Sequence, residues 1–189
     1  SGYYNIGYVY FAQGDYSKAL EYFEEVLKIR LSVYGENHSR VASVYNDIGE
    51  IYSVQGDDFK ALDYFKKSLK IVLSVYGENH SQVSSIYDHI GEIYFAQKDY
   101  SKALYYFEES LKIRLSLFGE NHPEVALSYY SIGSLYIIQG DKSKALNYYE
   151  KSLKIRLSVY GENHPLTKEI MDLINVANSK VLQSPETTK

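Results

Sequence analysis

Apolar positions recur along this chain with a short period and a long one. In Tyr45–Tyr52 the residues Tyr45, Ile48, Gly49 and Tyr52 fall three or four apart, the spacing that lines one face of a helix. "QGD" follows, where Gly56 suits a left-handed helix end and Asp57 a cap for the next helix. The next helix has two apolar rows, in its first copy Ala19–Phe23–Val26 and Leu20–Leu27–Leu31–Tyr34. A stripe that wide suits packing against more than one neighbour. Charges lie off the stripe, among them Glu24–Lys28, Glu108–Lys112 and Glu150–Lys154, four apart with the acid first, as on an exposed face. The pattern predicts helix pairs throughout.

The long period is 42 residues: "SVYGENH" stands at Ser32–His38, Ser74–His80 and Ser158–His164, and "SLFGENH" at Ser116–His122. Tyr3–Arg30, Tyr45–Val72, Tyr87–Arg114 and Tyr129–Arg156 are the matching copies of the helix pair. In the heptapeptide the Gly follows the last apolar residues of the long helix, where a positive φ ends it. Asn and His then occupy the junction and the N-cap, and Pro123 and Pro165 fall at the first position of the next helix. The heptapeptide therefore predicts a joint between helices. Repeats run 1–38, 39–80, 81–122 and 123–164, followed by a capping helix over 165–183 and a frayed tail over 184–189. In the capping helix Met171 and Ile174 keep the apolar positions and Asn175 replaces the Gly. The chain opens partway into a unit, as a fragment or the end of a longer array would.

The string aromatic-x-x-Ile-Gly-x-x-Tyr, then Gly-Asp-Tyr, then Lys-Ala-Leu-x-x-Phe/Tyr resembles the tetratricopeptide repeat, on Tyr45, Ile48, Gly49, Tyr52, Gly56, Ala61 and Phe65 and their equivalents. The resemblance implies an all-α fold, a right-handed α-solenoid of antiparallel helix pairs, as a single array over 1–183. Three positions depart from it. Lys98 replaces the turn Gly of the third repeat, and Asp58 and Lys142 replace the turn Tyr of the second and fourth. Looser joints are expected there, with Phe59 taking over the packing in the second. The usual repeat has about 34 residues. Here the added length lies between Ser68 and Tyr87, so the second helix is expected to run a turn longer and the next first helix to start a turn earlier. This longer form, with its Gly-x-x-His-Pro-type joint, is similar to the kinesin light chain subgroup, which implies scaffolding of the adaptor kind.

Composition narrows the function. Of 189 residues 45% are hydrophobic, too many for a wholly disordered chain, and no apolar run is long enough to span a bilayer. A net charge of −4 gives no basic surface for nucleic acid. With no Cys there is no thiolate nucleophile, disulfide or cysteine metal site, and the first residues carry no secretory pattern. An intracellular, cytoplasmic setting without membrane contact is expected. The joint residues His38, His80, His122 and His164 cannot share a metal, since helices pack roughly 8–10 Å apart and ligands bond at about 2 Å. They are expected to cap or to pack. "NHS" at Asn37–Ser39 and Asn79–Ser81 matches a glycosylation sequon, read here as an accident of the joint. No catalytic constellation stands out, so no enzyme, metal or cofactor is expected.

A partner site follows from variation within the molecule. Beside the core positions of each first helix runs a stripe made of Tyr4, Tyr8 and Phe11, then Asn46, Glu50 and Ser53, then Asp88, Glu92 and Phe95, then Tyr130, Ser134 and Ile137. The core positions keep their chemistry from copy to copy and this stripe does not. His89, the one His outside the joints, sits at its flank, as a groove-edge residue or an ordinary exposed one. In a tetratricopeptide-like array the stripe would line the concave groove. It holds no Lys or Arg, which argues against capture of a carboxylate terminus, and its acids and rings favour a peptide or helix with basic and apolar residues. The alternative is a spacer in a longer array that self-associates through its open repeat ends.

Overall fold

The computed structural model describes residues 2–179, so Ser1, the last residues of the capping segment and the tail expected over 184–189 lie outside the described residues. The described residues form α1 (Gly2–Ala12), α2 (Tyr16–Tyr34), α3 (Ser39–Val54), α4 (Asp58–Tyr76), α5 (Ser81–Ala96), α6 (Tyr100–Phe118), α7 (Pro123–Ile138), α8 (Lys142–Tyr160) and α9 (Pro165–Ser179). No strand occurs among them. They fall into two compact units, one up to Asp99 and one from Tyr100 on. In the first, α1 pairs with α2 and α3 with α4, while α3 also packs on α2 and α5 on α4. In the second, α7 packs on α6 and pairs with α8, and α9 packs on α8.

The pairs α1–α2, α3–α4 and α7–α8 each close on a glycine facing a ring. A Cβ placed on Gly49 would lie 2.8 Å from the Phe65 ring, and one on Gly133 2.7 Å from the Tyr149 ring. Glycine is what lets these helices approach so closely. In the first pair the same contact is looser, 3.3 Å from Gly7 to Phe23. Ala19, Phe23 and Val26 of α2 then form one core cluster with Val44, Ile48 and Ile51 of α3, so the first apolar row of α2 is the buried one.

The first helices end in Schellman-type turns: Gly56 N donates to the Ser53 carbonyl at 3.0 Å and Asp57 N to the Tyr52 carbonyl at 2.9 Å. Asp15, Asp57 and Asp141 then cap the second helices through their side chains. Lys98 keeps the same two bonds as Gly56 by adopting a φ of 62°. That joint is therefore not loosened, and its cost falls on backbone strain. Phe59 does not take over packing in the second repeat, being 84% exposed. Asp58 instead accepts a hydrogen bond from Gln97 Nε2 at 3.0 Å. Lys28 and Lys112 pair with Glu25 and Glu109, three residues away, rather than with Glu24 and Glu108.

The joint has a third part. Gly35, Gly77, Gly119 and Gly161 take a φ between 76° and 80°. Beyond each, the His Nδ1 accepts from the backbone N–H two residues on, at 3.1 Å for His38, 3.2 Å for His80 and His122, and 3.3 Å for His164. Each imidazole also stacks on the aromatic residue that ends the long helix, with centroids 4.1–4.5 Å apart in the pairs Tyr34–His38, Tyr76–His80, Phe118–His122 and Tyr160–His164.

Gly49→Ala is expected to cost about 1–3 kcal/mol through overpacking against Phe65. Gly7→Ala should be near neutral, because its looser contact is offset by about 1 kcal/mol of helix propensity. Lys98→Gly should stabilise by about 1 kcal/mol by relieving the left-handed strain. Chemical denaturation of the three variants checks all of this.

Candidate functional site

Tyr4 and Tyr8 lie one turn apart on α1 and both reach α3. Tyr4 donates to Asp47 Oδ2 at 2.7 Å and Tyr8 to Asp47 Oδ1 at 2.6 Å. Asp47 is 8% exposed, and these hydroxyls are what make a carboxylate tolerable there. Burial pushes its pKa above the usual carboxylate value, while the two tyrosine bonds and the charge of Arg30 hold it down. Tyr8 is raised in turn, by burial and by the proton it gives Asp47. The Arg30 guanidinium of α2 lies 4.4 Å from the centre of the Tyr4 ring.

One turn along α3, Glu50 accepts from Asn46 Nδ2 at 2.6 Å. Its pKa rises to about 7, first by burial and then by the negative charges of Asp47 and Glu92. His89 on α5 stands against it, Nε2 to Oε1 at 3.9 Å, with its ring 5.0 Å from that of Phe65. Glu92 is also raised, by desolvation and by Asp88. Between α1, α3 and α5, over Ser68 and Val72 of α4, opens a cleft of about 300 Å³. Tyr4, Tyr8, Asn46, Asp47, Glu50 and Gln82 are among its walls.

Of the residues expected from the sequence, the structure gathers Tyr4, Tyr8, Asn46 and Glu50 at this cleft, with His89 beside Glu50. Phe11 packs instead on the core cluster, its ring 5.9 Å from that of Tyr16. Ser53, Asp88 and Phe95 are half-buried on the same helices. In the second unit Tyr130 donates to Glu169 Oε1 at 3.1 Å and Ser134 bonds to the Tyr149 hydroxyl at 3.2 Å, while Ile137 is exposed. The stripe reading missed Asp47, Arg30, Val72 and Gln82. Asp47 belongs to a neighbouring row, Asn5–Asp47–His89–Ser131, that also changes from copy to copy. Among the described residues no group of three or more His, Cys, Asp or Glu is placed to hold a metal, and no helix is long and apolar enough to cross a membrane.

The family model described as "Tetratricopeptide repeat" matches residues 1–74, 40–116 and 82–158, three overlapping stretches in the phase of the repeats. The chain belongs to the tetratricopeptide-repeat family. Among solved structures, BtubC (BKLC) from P. vanneervenii is similar over 97% of this chain and 81% of its own, with a TM-score of 0.77 at 20% identity. The nearly identical TPR-like repeats of a Podosopora anserina protein described as a kinesin light chain are similar over 97% and 96%, at 0.74 and 15%. The apo form of RapI is similar over 95% of this chain and 63% of its own, at 0.80 and 18%. At these identities the likeness is one of fold. No curated protein sequence gives a significant match. Tetratricopeptide repeats and solenoids of this kind are typically non-enzymatic scaffolds for protein interaction.

The raised pKa of Glu50 has a consequence for stability. The folded state binds the proton more tightly than the unfolded chain, so stability falls as pH rises from the ordinary glutamate value of 4.5 to about 7. Glu50→Gln keeps the acceptor for Asn46 and removes the charge. It is expected to stabilise the protein at pH 8 by about 1 kcal/mol after allowance for solvent screening, and to change little at pH 4. Urea melts at the two pH values check this.

Proposed function

We propose that this tetratricopeptide-repeat protein is a non-catalytic scaffold that binds a peptide or helix of a partner protein on the face of its first helices, around the cleft between α1, α3 and α5. The observation that carries the reading is the set of carboxyl groups held there at a cost, Asp47 and Glu50 behind Tyr4 and Tyr8. Nothing in the packing of the helix pairs calls for acids at these positions. Ile48 and Ile51 already fill the core beside them. A partner with basic and apolar residues fits such a face: rings supply contact area, and negative charge steers the approach. Ser53, Asp88, Glu92 and Phe95 extend the proposed surface within the first unit, Tyr130, Ser134 and Ile137 are proposed for the second unit taken by itself, and a cytoplasmic setting agrees with this reading.

A second reading, self-association through a repeat end, is favoured by α1. Ile6 and Val9 occupy the positions of Ile48 and Ile51, yet they are 40% and 53% exposed against 0% and 1%. Another second helix would cover that face as α2 covers α3.

A peptide-array screen of the wild type and of the double variant Glu50→Lys, Glu92→Lys separates the two readings. Peptides with basic and aromatic residues should bind the wild type and lose about tenfold or more with the double variant, at unchanged helical circular dichroism. Binding indifferent to both charges would sink the first reading. Mass that grows with concentration in sedimentation and returns to the monomer with Ile6→Glu would favour the second.

A further inference from the structure

Three copies of the second helix carry arginine at one position, Arg30, Arg114 and Arg156, and the remaining copy carries Val72. In each of the three the guanidinium reaches the start of the next first helix. Arg30 donates to the Arg40 carbonyl and Arg156 to the Leu166 carbonyl, both at 2.5 Å. Arg114 donates to Ser128 Oγ at 2.8 Å and pairs with Glu124 at 3.0 Å. Arg30 and Arg156 also lie over a ring of their own first helix, 4.4 Å from Tyr4 and 5.0 Å from Tyr130. Arg114 and Arg156 are each only 4% exposed and Arg30 is half-buried, so the position sets a cation into the packing between helices.

Val72 is 1% exposed and too short to reach these partners, and the cleft of about 300 Å³ opens beside it. By the repeat offset Gln82 stands where Arg40, Glu124 and Leu166 stand, and Asn46 where Tyr4 and Tyr130 stand. These two residues hold buried oxygens, Asn46 Oδ1 and Gln82 Oε1, that no N–H or O–H of the protein meets. The rest of the wall offers acceptors as well. Ser43, Ser68 and Ser85 give their hydroxyl protons to the carbonyls of Ser39, Ala42 and Ser81 at 3.1, 2.9 and 3.1 Å. Tyr4 and Tyr8 give theirs to Asp47. The cleft therefore combines a surplus of acceptors with the carboxyl groups of Asp47 and Glu50, and desolvated acceptors without donors are costly.

We propose that the cleft receives an arginine side chain of the bound partner, whose guanidinium takes the place that Arg30, Arg114 and Arg156 fill from within the chain. The proposal rests on the peptide-binding reading above and names the residue that reading leaves open. A planar fork with five donors serves several separated acceptors at once, whereas a lysine ammonium is compact and serves fewer, so arginine is preferred to lysine.

The direct test titrates ¹⁵N-labelled protein with Nα-acetyl-arginine amide at millimolar concentration and follows the side-chain carboxamide signals of Asn46 and Gln82. Those signals should shift, less with the lysine compound and not with the uncharged citrulline compound. Val72→Arg reproduces the residue of the other copies, so it should fold and abolish the response. In a peptide found by the screen, arginine-to-citrulline replacement should weaken binding about 10- to 100-fold in the wild type and leave binding to Val72→Arg unchanged. Silent carboxamide signals, an equal response to citrulline, or a response that survives Val72→Arg overturns the proposal. Peptides that bind regardless of citrulline sink the cleft and leave the first-helix face standing. A screen without any binder sinks the face, while the acetyl-arginine titration still decides the cleft.

Discussion

The contact on which the rest depends is the approach of a bare backbone to a ring inside the helix pairs of each unit, α3–α4 in the first and α7–α8 in the second. Gly49 against Phe65 and Gly133 against Tyr149 leave no room for a methyl group. This closeness sets the spacing between a first helix and its second helix. With Ala61 and Ala145 wholly buried on the facing helices, it also fixes the rotation of each about its axis. Once that rotation is set, the residues beside the core have no choice of direction. On α3, Asn46 and Glu50 are turned toward the cleft because Ile48 and Gly49 are held in the core, while on α1 Tyr4 and Tyr8 reach it over the ring of Phe23.

The joint solves a separate problem, which is to turn the chain between helices without leaving polar groups bare. A positive φ at Gly ends one helix, an imidazole nitrogen serves the N–H of the second residue of the next, and the same imidazole lies flat on the ring of the helix just ended. The aromatic residue in "SVYGENH" and its Phe118 variant thus have the same task. What matters there is a flat face, and the Tyr hydroxyl is dispensable to it.

Much of this was legible in the sequence. The 42-residue period, the glycines and Pro123 and Pro165 place the helix starts at Ser39, Ser81, Pro123 and Pro165, where the structure has them. The stripe was legible as a face, and four of the six residues in its first two copies, Tyr4, Tyr8, Asn46 and Glu50, meet at the cleft. Asp47 was not, because periodicity reports which side of a helix a residue occupies and not that two hydroxyls from another helix will meet it. Phe59 failed for the opposite reason: an apolar residue beside a joint looks like packing, yet its ring stays exposed and Asp58 found a hydrogen bond instead. Val72 stands against Arg30, Arg114 and Arg156 in the aligned copies, but the sequence reading did not single it out. Its meaning needed Arg114 and Arg156 to be seen buried, since an arginine in a helix sequence reads as solvated until it is placed.

The joint also constrains how such a chain can change its length. The stacked imidazole, the positive-φ glycine and the capped N–H sit at fixed distances along the chain and must all stay in phase with the glycine-on-ring contact. Growth or loss is therefore quantised in whole repeats, since any other step would carry a histidine off its ring and a side chain into the Gly49 position. Each added repeat arrives with its architecture already written and a handful of letters free, those at the places of Asn46, Asp47, Glu50 and Val72. Diversity in such a chain is spelled in that short alphabet, on a page whose ruling cannot move.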